Sequence, residues 1–268
     1  MKLLLINILK EIYRYFSHKK NREFYRLHDK YAKKPRYQYT PNVNFLSYTI
    51  DVPDLLSFVW QFKEIYVAEI YKFDSENQTP TILDCGANIG LSCLYFKELF
   101  PNAMIKAFEA DPDIAKTLKL NLERNNAQDI EIINKAVWTH DQGIEFSVDG
   151  ADGGSINSSG NKIKIPSIRL KEYLKAVDQI SLLKIDIEGA EYEVLKDCAN
   201  ELSHVKNIFI EYHSWNSTEQ RLSEILEILE TYGFRYYIED IGKRKHPFIN
   251  KGESSNMDLQ LNIFGYKK

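Results

Sequence analysis

From Pro80 onward, short apolar runs alternate with amphipathic stretches, and this alternation leaves the chain few architectures. TILDC at 81–85 precedes a helical pattern near 90–99, MIKAFE precedes one from Pro112 to about Asn125, and IEIINKAV follows. Apolar strands separated by crossover helices build parallel sheets buried on both faces. After an insertion at 149–162 the rhythm resumes. SLLKIDI leads into a helix from about Ala190, and NIFIEYH precedes a helix buried through Leu222, Ile225, Leu226 and Leu229. Ser217 and Gln220 have the spacing of a capping box before that helix, and Gly233 terminates it. No helical pattern separates FRYYIED from LQLNIFGY, so a hairpin bridged by 241–257 joins them antiparallel. The expected fold is α/β, a mostly parallel sheet with one reversed strand near the C-terminus.

At 268 residues the chain accommodates one such domain with an appendage. Residues 46–268 form the domain, with 46–79 as a helical lead-in. Asp54 can cap a lead-in helix whose apolar positions Leu55, Val59, Phe62, Tyr66, Ile70 and Phe73 follow helical spacing. Residues 1–45 read as a basic arm ending in a Pro-punctuated linker (Pro35, Pro41). The whole chain carries 35 basic and 38 acidic residues, net −3, so no chain-wide field recruits nucleic acid. Residues 1–40, however, hold eleven Lys or Arg against three acids, net +8, which leaves −11 for the rest. In the arm Leu5, Ile8, Leu9, Ile12 and Phe16 form one helical stripe beside basic residues, suited to peripheral membrane contact or to self-association through residues 1–20. The apolar run Leu3–Leu9 is too short to span a bilayer, and no small-residue cleavage site follows it. Three cysteines, Cys85, Cys93 and Cys198, form neither a disulfide framework nor a Cys-based zinc site. The expected compartment is the cytoplasm, with the inner face of the membrane as the place of any peripheral contact.

TILDCGANIG at 81–90 is an apolar strand ending in Asp84, then Gly86 and Gly90 entering a helix. Glycines there let backbone approach a ligand. The nicotinamide fingerprint would need Gly at 88 and 91, where Asn88 and Leu91 stand. Nineteen residues after Gly90, Glu109 closes the next strand, where a carboxylate accepts both hydroxyls of a ribose. Asn88 can bond an amino-acid head group. A ribose acceptor without a pyrophosphate cradle points to S-adenosylmethionine. The chain resembles the FkbM-type methyltransferases over most of its length outside the arm, from about Phe45 to Tyr66 and through DCGANIG, FEADP, KAVW, LLKIDIEGAE, IEYHS and QLNIF. The resemblance implies a Rossmann-like, seven-stranded class I methyltransferase fold and methyl transfer to an oxygen, commonly a sugar or natural-product hydroxyl. The implied cofactor set is Asp84, Gly86, Ala87, Asn88, Gly90, Glu109 and Ala110, with the adenine beside Ala136, Val137 and Trp138.

Asp186 and Glu188 leave the fourth strand, and Glu211 and His213 leave the fifth, where α/β sheets bind ligands. Spacing of two puts Glu211 and His213 on one face. His213 is the first candidate for the base that deprotonates an acceptor hydroxyl, Asp186 the second. Lys184, inside an apolar run, needs an acidic partner if buried. Asp186, Glu211 and His213 also suit a divalent ion. The expected partner is a sugar or glycan hydroxyl, lipid-linked if the arm meets membrane. Two rival readings are a non-catalytic adaptor displaying the basic arm and a metal-dependent glycosyltransferase using Asp111-Pro112-Asp113. Against the latter, Asp111 and Pro112 have the chemistry of an N-cap and first helical position. The glycines of 149–162 suit a lid, and Lys243, Arg244, Lys245 and His246 an anionic acceptor.

Overall fold

The computed structural model describes residues 18–147, 162–242, 244–250 and 257–268. The apolar stripe of residues 1–16, the glycine-rich 149–161 stretch and Lys243 lie outside these.

Helix α1 (Lys19–Tyr31) is followed by an antiparallel hairpin, β1 (Thr40–Phe45) and β2 (Tyr48–Val52). The segment read as linker is therefore partly strand. Asn121 explains why the hairpin docks: fully buried, it accepts from the Asp51 N–H and donates to the carbonyls of Asp51 and Ile89. Helix α2 (Leu55–Phe62) starts at Asp54, whose carboxylate accepts from the N–H groups of Leu56 and Ser57, as its position predicts. A single π-turn (Lys63–Val67) ends the helical register before Ile70 and Phe73.

The domain then runs β3 (Thr81–Cys85), α3 (Leu91–Leu99), β4 (Met104–Phe108), α4 (Pro112–Arg124) and β5 (Glu131–Ile133). IEIINKAV divides: Ala136–Trp138 is a separate strand, β6, and β7 (Ile144–Ser147) pairs with β8 (Lys162–Ile165). β9 (Ser167–Arg169) lies parallel to β6. After α5 (Leu170–Lys175) come β10 (Ile180–Ile185), α6 (Glu191–Cys198), β11 (Val205–Trp215), α7 (Leu222–Thr231), β12 (Arg235–Asp240) and β13 (Met257–Tyr266). The capping box does not form. Arg221 occupies the N-cap of α7 without a side-chain capping bond, while Gln220 donates to Asp258.

The central sheet has the order β12-β13-β11-β10-β3-β4-β5, with β13 antiparallel to both neighbours and the other pairs parallel. Period-2 alternation feeds two cores. Ile82 and Leu182 pack with α2, α3 and α4, whereas Leu83 and Leu183 face α5, α6 and α7. On the first face Phe45, Phe62 and Tyr95 surround Tyr66, locking the lead-in onto the sheet. Among the described residues no helix is long and apolar enough to cross a membrane. All three cysteines are free and buried.

Candidate active site

β3 delivers the chain to the 86–90 loop at the carboxyl edge of the sheet. Gly86 has φ +88°, and a Cβ there would stand 1.8 Å from the Asp186 carbonyl oxygen. Only glycine lets the loop lie against the exit of β10. Gly90 caps α3 at φ +93°, and its missing Cβ leaves room for Leu118 of α4. Glycine 90 thus serves packing and does not line the cavity described below.

Asp84 does not reach the cavity either. Register places Lys184 opposite Asp84, and their side chains meet at 3.1 Å, fully buried. Ser92 Oγ donates to the other carboxylate oxygen at 2.5 Å. Lys184 also pairs with Asp186 at 3.3 Å and donates to the Gly86 carbonyl at 2.8 Å. Burial works against this ammonium, yet Asp84 and Asp186 hold its pKa well above the usual value. Lys184 is therefore a cationic brace between loop and strand, held charged and unsuited to accept a proton.

Glu109 follows β4. One carboxylate oxygen accepts from the Asn88 N–H at 2.8 Å and the other from the Asp111 N–H at 2.9 Å. Burial pushes this carboxyl up to about 7 against those two bonds. A carboxylate has about four lone-pair sites, so two remain for a ligand's hydroxyls. Ala110, Ala136 and Val137 continue the same wall. Trp138 does not: β6 turns away from the central sheet, its indole donates to His140, and the ring faces a separate depression. Asp111 caps α4 through the Asp113 and Ile114 N–H groups, with Asp113 exposed and paired to Lys116. The Asp-Pro-Asp stretch is a helix start.

Across the cavity stand the strand-end acids. β11 continues through His213, so Glu211 and His213 share a face as expected. His213 Nδ1 lies 3.1 Å from Glu191 Oε1, and its Nε2 lies 3.4 Å from Glu211 and 3.7 Å from Glu188. Burial opposes a charged ring, but bonds to Glu191 and Glu211 and the charge of Glu188 hold its pKa well above the ordinary histidine value. A ring held as imidazolium cannot accept a proton, which removes His213 as the leading candidate for the base. Asp186, buried and beside the Glu211 charge, is pushed up to about 6. Burial, opposed by the His213 charge and aided by the neighbouring acids Asp186, Glu191 and Glu211, raises Glu188 well above the carboxylate range.

Several contributors escaped the sequence reading. Glu191 opens α6 and anchors His213 while accepting from the N–H groups of Ile187 and Gly189. Gln260 of β13, in register with His213, donates to Glu211 at 2.5 Å. Glu64 in the π-turn faces the cluster, and burial followed by the charges of Glu211 and Asp186 pushes it up to about 7. The E-x-x-E pair at 188 and 191 was the one available signal, because the others depend on folding distant elements together.

One cavity of about 580 Å³ joins these parts. Its volume lies within the range of roughly 300–1,000 Å³ for small-molecule sites. Gly86, Ala87, Asn88 and Glu109 form one side, and Lys184, Asp186, Glu188, Glu211 and His213 form the other. Ser57, Trp60, Gln61 and Glu64 of the lead-in and Arg36 of the preceding arm also line it.

The profile of the Methyltransferase FkbM domain matches residues 84–236. Methyltransferase sdnD of Sordaria araneosa is 29% identical over 215 residues, covering 65% of this chain and 80% of its own. The 2-O-methyltransferase NoeI of Sinorhizobium fredii is 25% identical, covering 59% and 74% respectively. The hexuronic acid methyltransferase AglP of Haloferax volcanii is 28% identical, covering 53% and 59%. Among solved structures, a methyltransferase FkbM from Methylobacillus flagellatus superposes at TM-score 0.47 with 17% identity, covering 74% of this chain and 46% of that one.

Proposed function

The chain belongs to the FkbM methyltransferase family, and from that premise we propose that it moves a methyl group from S-adenosylmethionine to a hydroxyl of a sugar or glycan. The observation that carries this reading is a single cavity running from Glu109 and Asn88 to the Asp186–Glu211 cluster.

The residues present fit the cofactor. Glu109 keeps two acceptor sites for ribose hydroxyls beyond those used by the loop N–H groups. Ala110, Ala136 and Val137 offer an apolar wall for adenine, and the Asn88 side chain lies where an amino-acid head group would reach it. Bound there, S-adenosylmethionine would supply an electrophilic methyl on a positively charged sulfur. The acidic far wall suits that charge.

The chain's own residues do the rest. Trp60, 43% exposed at the mouth, presents an aromatic face, and Gln61 and Ser57 beside it offer hydrogen bonds. An aromatic face flanked by polar groups matches the apolar face and hydroxyl rim of a sugar ring. The names of NoeI and AglP, which point to oxygen and hexuronic acid acceptors, support the same choice. Asp186 and Glu211 face the cavity from adjacent strand ends, where a carboxylate can take the acceptor's proton. Holding the oxygen in line with the methyl supplies much of the acceleration, and proton removal a further factor of about 10² to 10⁴. Lys184 holds Asp186 and the Gly86 carbonyl in fixed relation.

Incubating the protein with labelled S-adenosylmethionine and fractionated cell glycans tests the reading. Label and an increment of about 14 daltons, CH₃ in place of H, should appear on a sugar hydroxyl. Label only in protein, lipid tails or nucleic acid would overturn the acceptor class.

A further inference from the structure

We propose that Asp186, Glu211 and His213 bind one divalent cation of the Mg²⁺ or Mn²⁺ kind. One donor atom from each residue lies within 4.8 Å of the other two. Donors around such an ion stand roughly 3 to 4 Å apart at bond lengths of about 2.1 Å, so small side-chain rotations bring these three donors onto one ion.

The surroundings are built for a ligating imidazole. A metal-bound histidine characteristically donates its second ring N–H to a carboxylate, which fixes the tautomer and aims the free nitrogen. His213 Nδ1 meets Glu191 at 3.1 Å, and Glu191 is itself 1% exposed and held by the N–H groups of Gly189 and Ile187. This arrangement turns Nε2 toward Glu211 at 3.4 Å. Gln260 steadies Glu211 from the neighbouring strand. Charge points the same way. Asp84, Asp186, Glu188, Glu191 and Glu211 share a partly buried network in which Lys184 and the His213 ring are the cationic partners among the described residues. A divalent ion would offset that excess of acids. As the ion binds, the Nε2 proton leaves to solvent and a nitrogen–metal bond replaces it. Two carboxylates and one imidazole favour an oxygen-preferring ion over soft metals.

Under the methyltransferase reading, on which this role rests, an ion held by these three cavity-lining residues would leave positions open to the cavity. An acceptor hydroxyl bound there would lose its proton more readily and would be held at a fixed point.

The test uses the full chain after chelator treatment, titrated with Mn²⁺ and followed by the loss of the free-ion spin-resonance signal. One ion per chain is expected, displaced by Mg²⁺. Glu211→Gln and His213→Ala should each weaken it at least about tenfold, and Glu191→Gln by about 10- to 100-fold. Binding of S-adenosylhomocysteine by each variant serves as the control for folding. If wild-type protein binds S-adenosylhomocysteine but not Mn²⁺, the ion site is refuted and the methyltransferase reading stands. Equal Mn²⁺ binding by wild type and all three folded variants would also refute it. Mn²⁺ binding without S-adenosylhomocysteine binding would support the ion site and count against the cofactor reading.

Discussion

Lys184 Nζ stands 3.1 Å from Asp84 Oδ1 at the centre of the sheet, with neither side chain more than 3% exposed. Replacing the lysine by methionine leaves that carboxylate buried without its cation. Lys184→Met should lower the unfolding free energy by about 3–5 kcal/mol, measured by urea denaturation. Adding Asp84→Asn should recover part of the loss. A single variant as stable as wild type would show that the pair does not hold the loop to β10.

Gly86→Ala places a methyl 1.8 Å from the Asp186 carbonyl oxygen at φ +88°. Backbone strain alone costs about 1–3 kcal/mol, and the clash displaces the loop. S-adenosylhomocysteine binding should disappear while circular dichroism stays native. Gly90→Ala meets a movable Leu118 side chain at 2.8 Å, so thermal unfolding should show a smaller penalty. Equal effects at both positions would contradict this ranking.

Glu109 gives the cofactor site a pH dependence. Its carboxyl is raised to about 7, whereas the ordinary value is 4.5, and the ionised form is the better ribose acceptor. Affinity for S-adenosylhomocysteine should therefore rise as pH increases through about 7. For folding the sign is opposite: a raised carboxyl favours the folded state at low pH, and that advantage is lost between the ordinary and the raised value. Calorimetry at several pH values should show a rise in wild type and a flat profile in Glu109→Gln. A rise that persists in the variant would assign the dependence to another group.

Trp60 packs against Phe24 and His28 and lies under the Lys63 ammonium, yet keeps 43% of its surface exposed at the cavity mouth. Trp60→Ala should raise the acceptor KM at least about tenfold if stacking is worth roughly 1.4 kcal/mol, with cofactor affinity unchanged. A loss confined to cofactor binding would move the acceptor elsewhere.

The sheet and its order of elements were legible because strands buried on both faces write themselves as apolar runs, and β13 betrayed its direction by lacking a helix before it. Glu109 and the strand-end acids were legible because they interrupt or end those runs. What local pattern could not supply was the consequence of bringing elements together. Trp138 looked like part of a third strand, but Ala136–Trp138 pairs with Ser167–Arg169 and carries the indole away. His213 looked like a base until Glu191, 22 residues away in sequence, closed on its ring. The Ser217–Gln220 spacing was a false signal, since Gln220 bonds Asp258 across the fold instead.

The central claim is that one cavity positions the methyl donor between Glu109 and the Asp186–Glu211 cluster. A crystal structure with S-adenosylhomocysteine bound tests it most directly. The account predicts both ribose hydroxyls on the Glu109 carboxylate, adenine beside Ala136 and Val137, and the sulfur turned toward Asp186 and Glu211. A ribose bonded elsewhere, or a sulfur facing away from those acids, would contradict it.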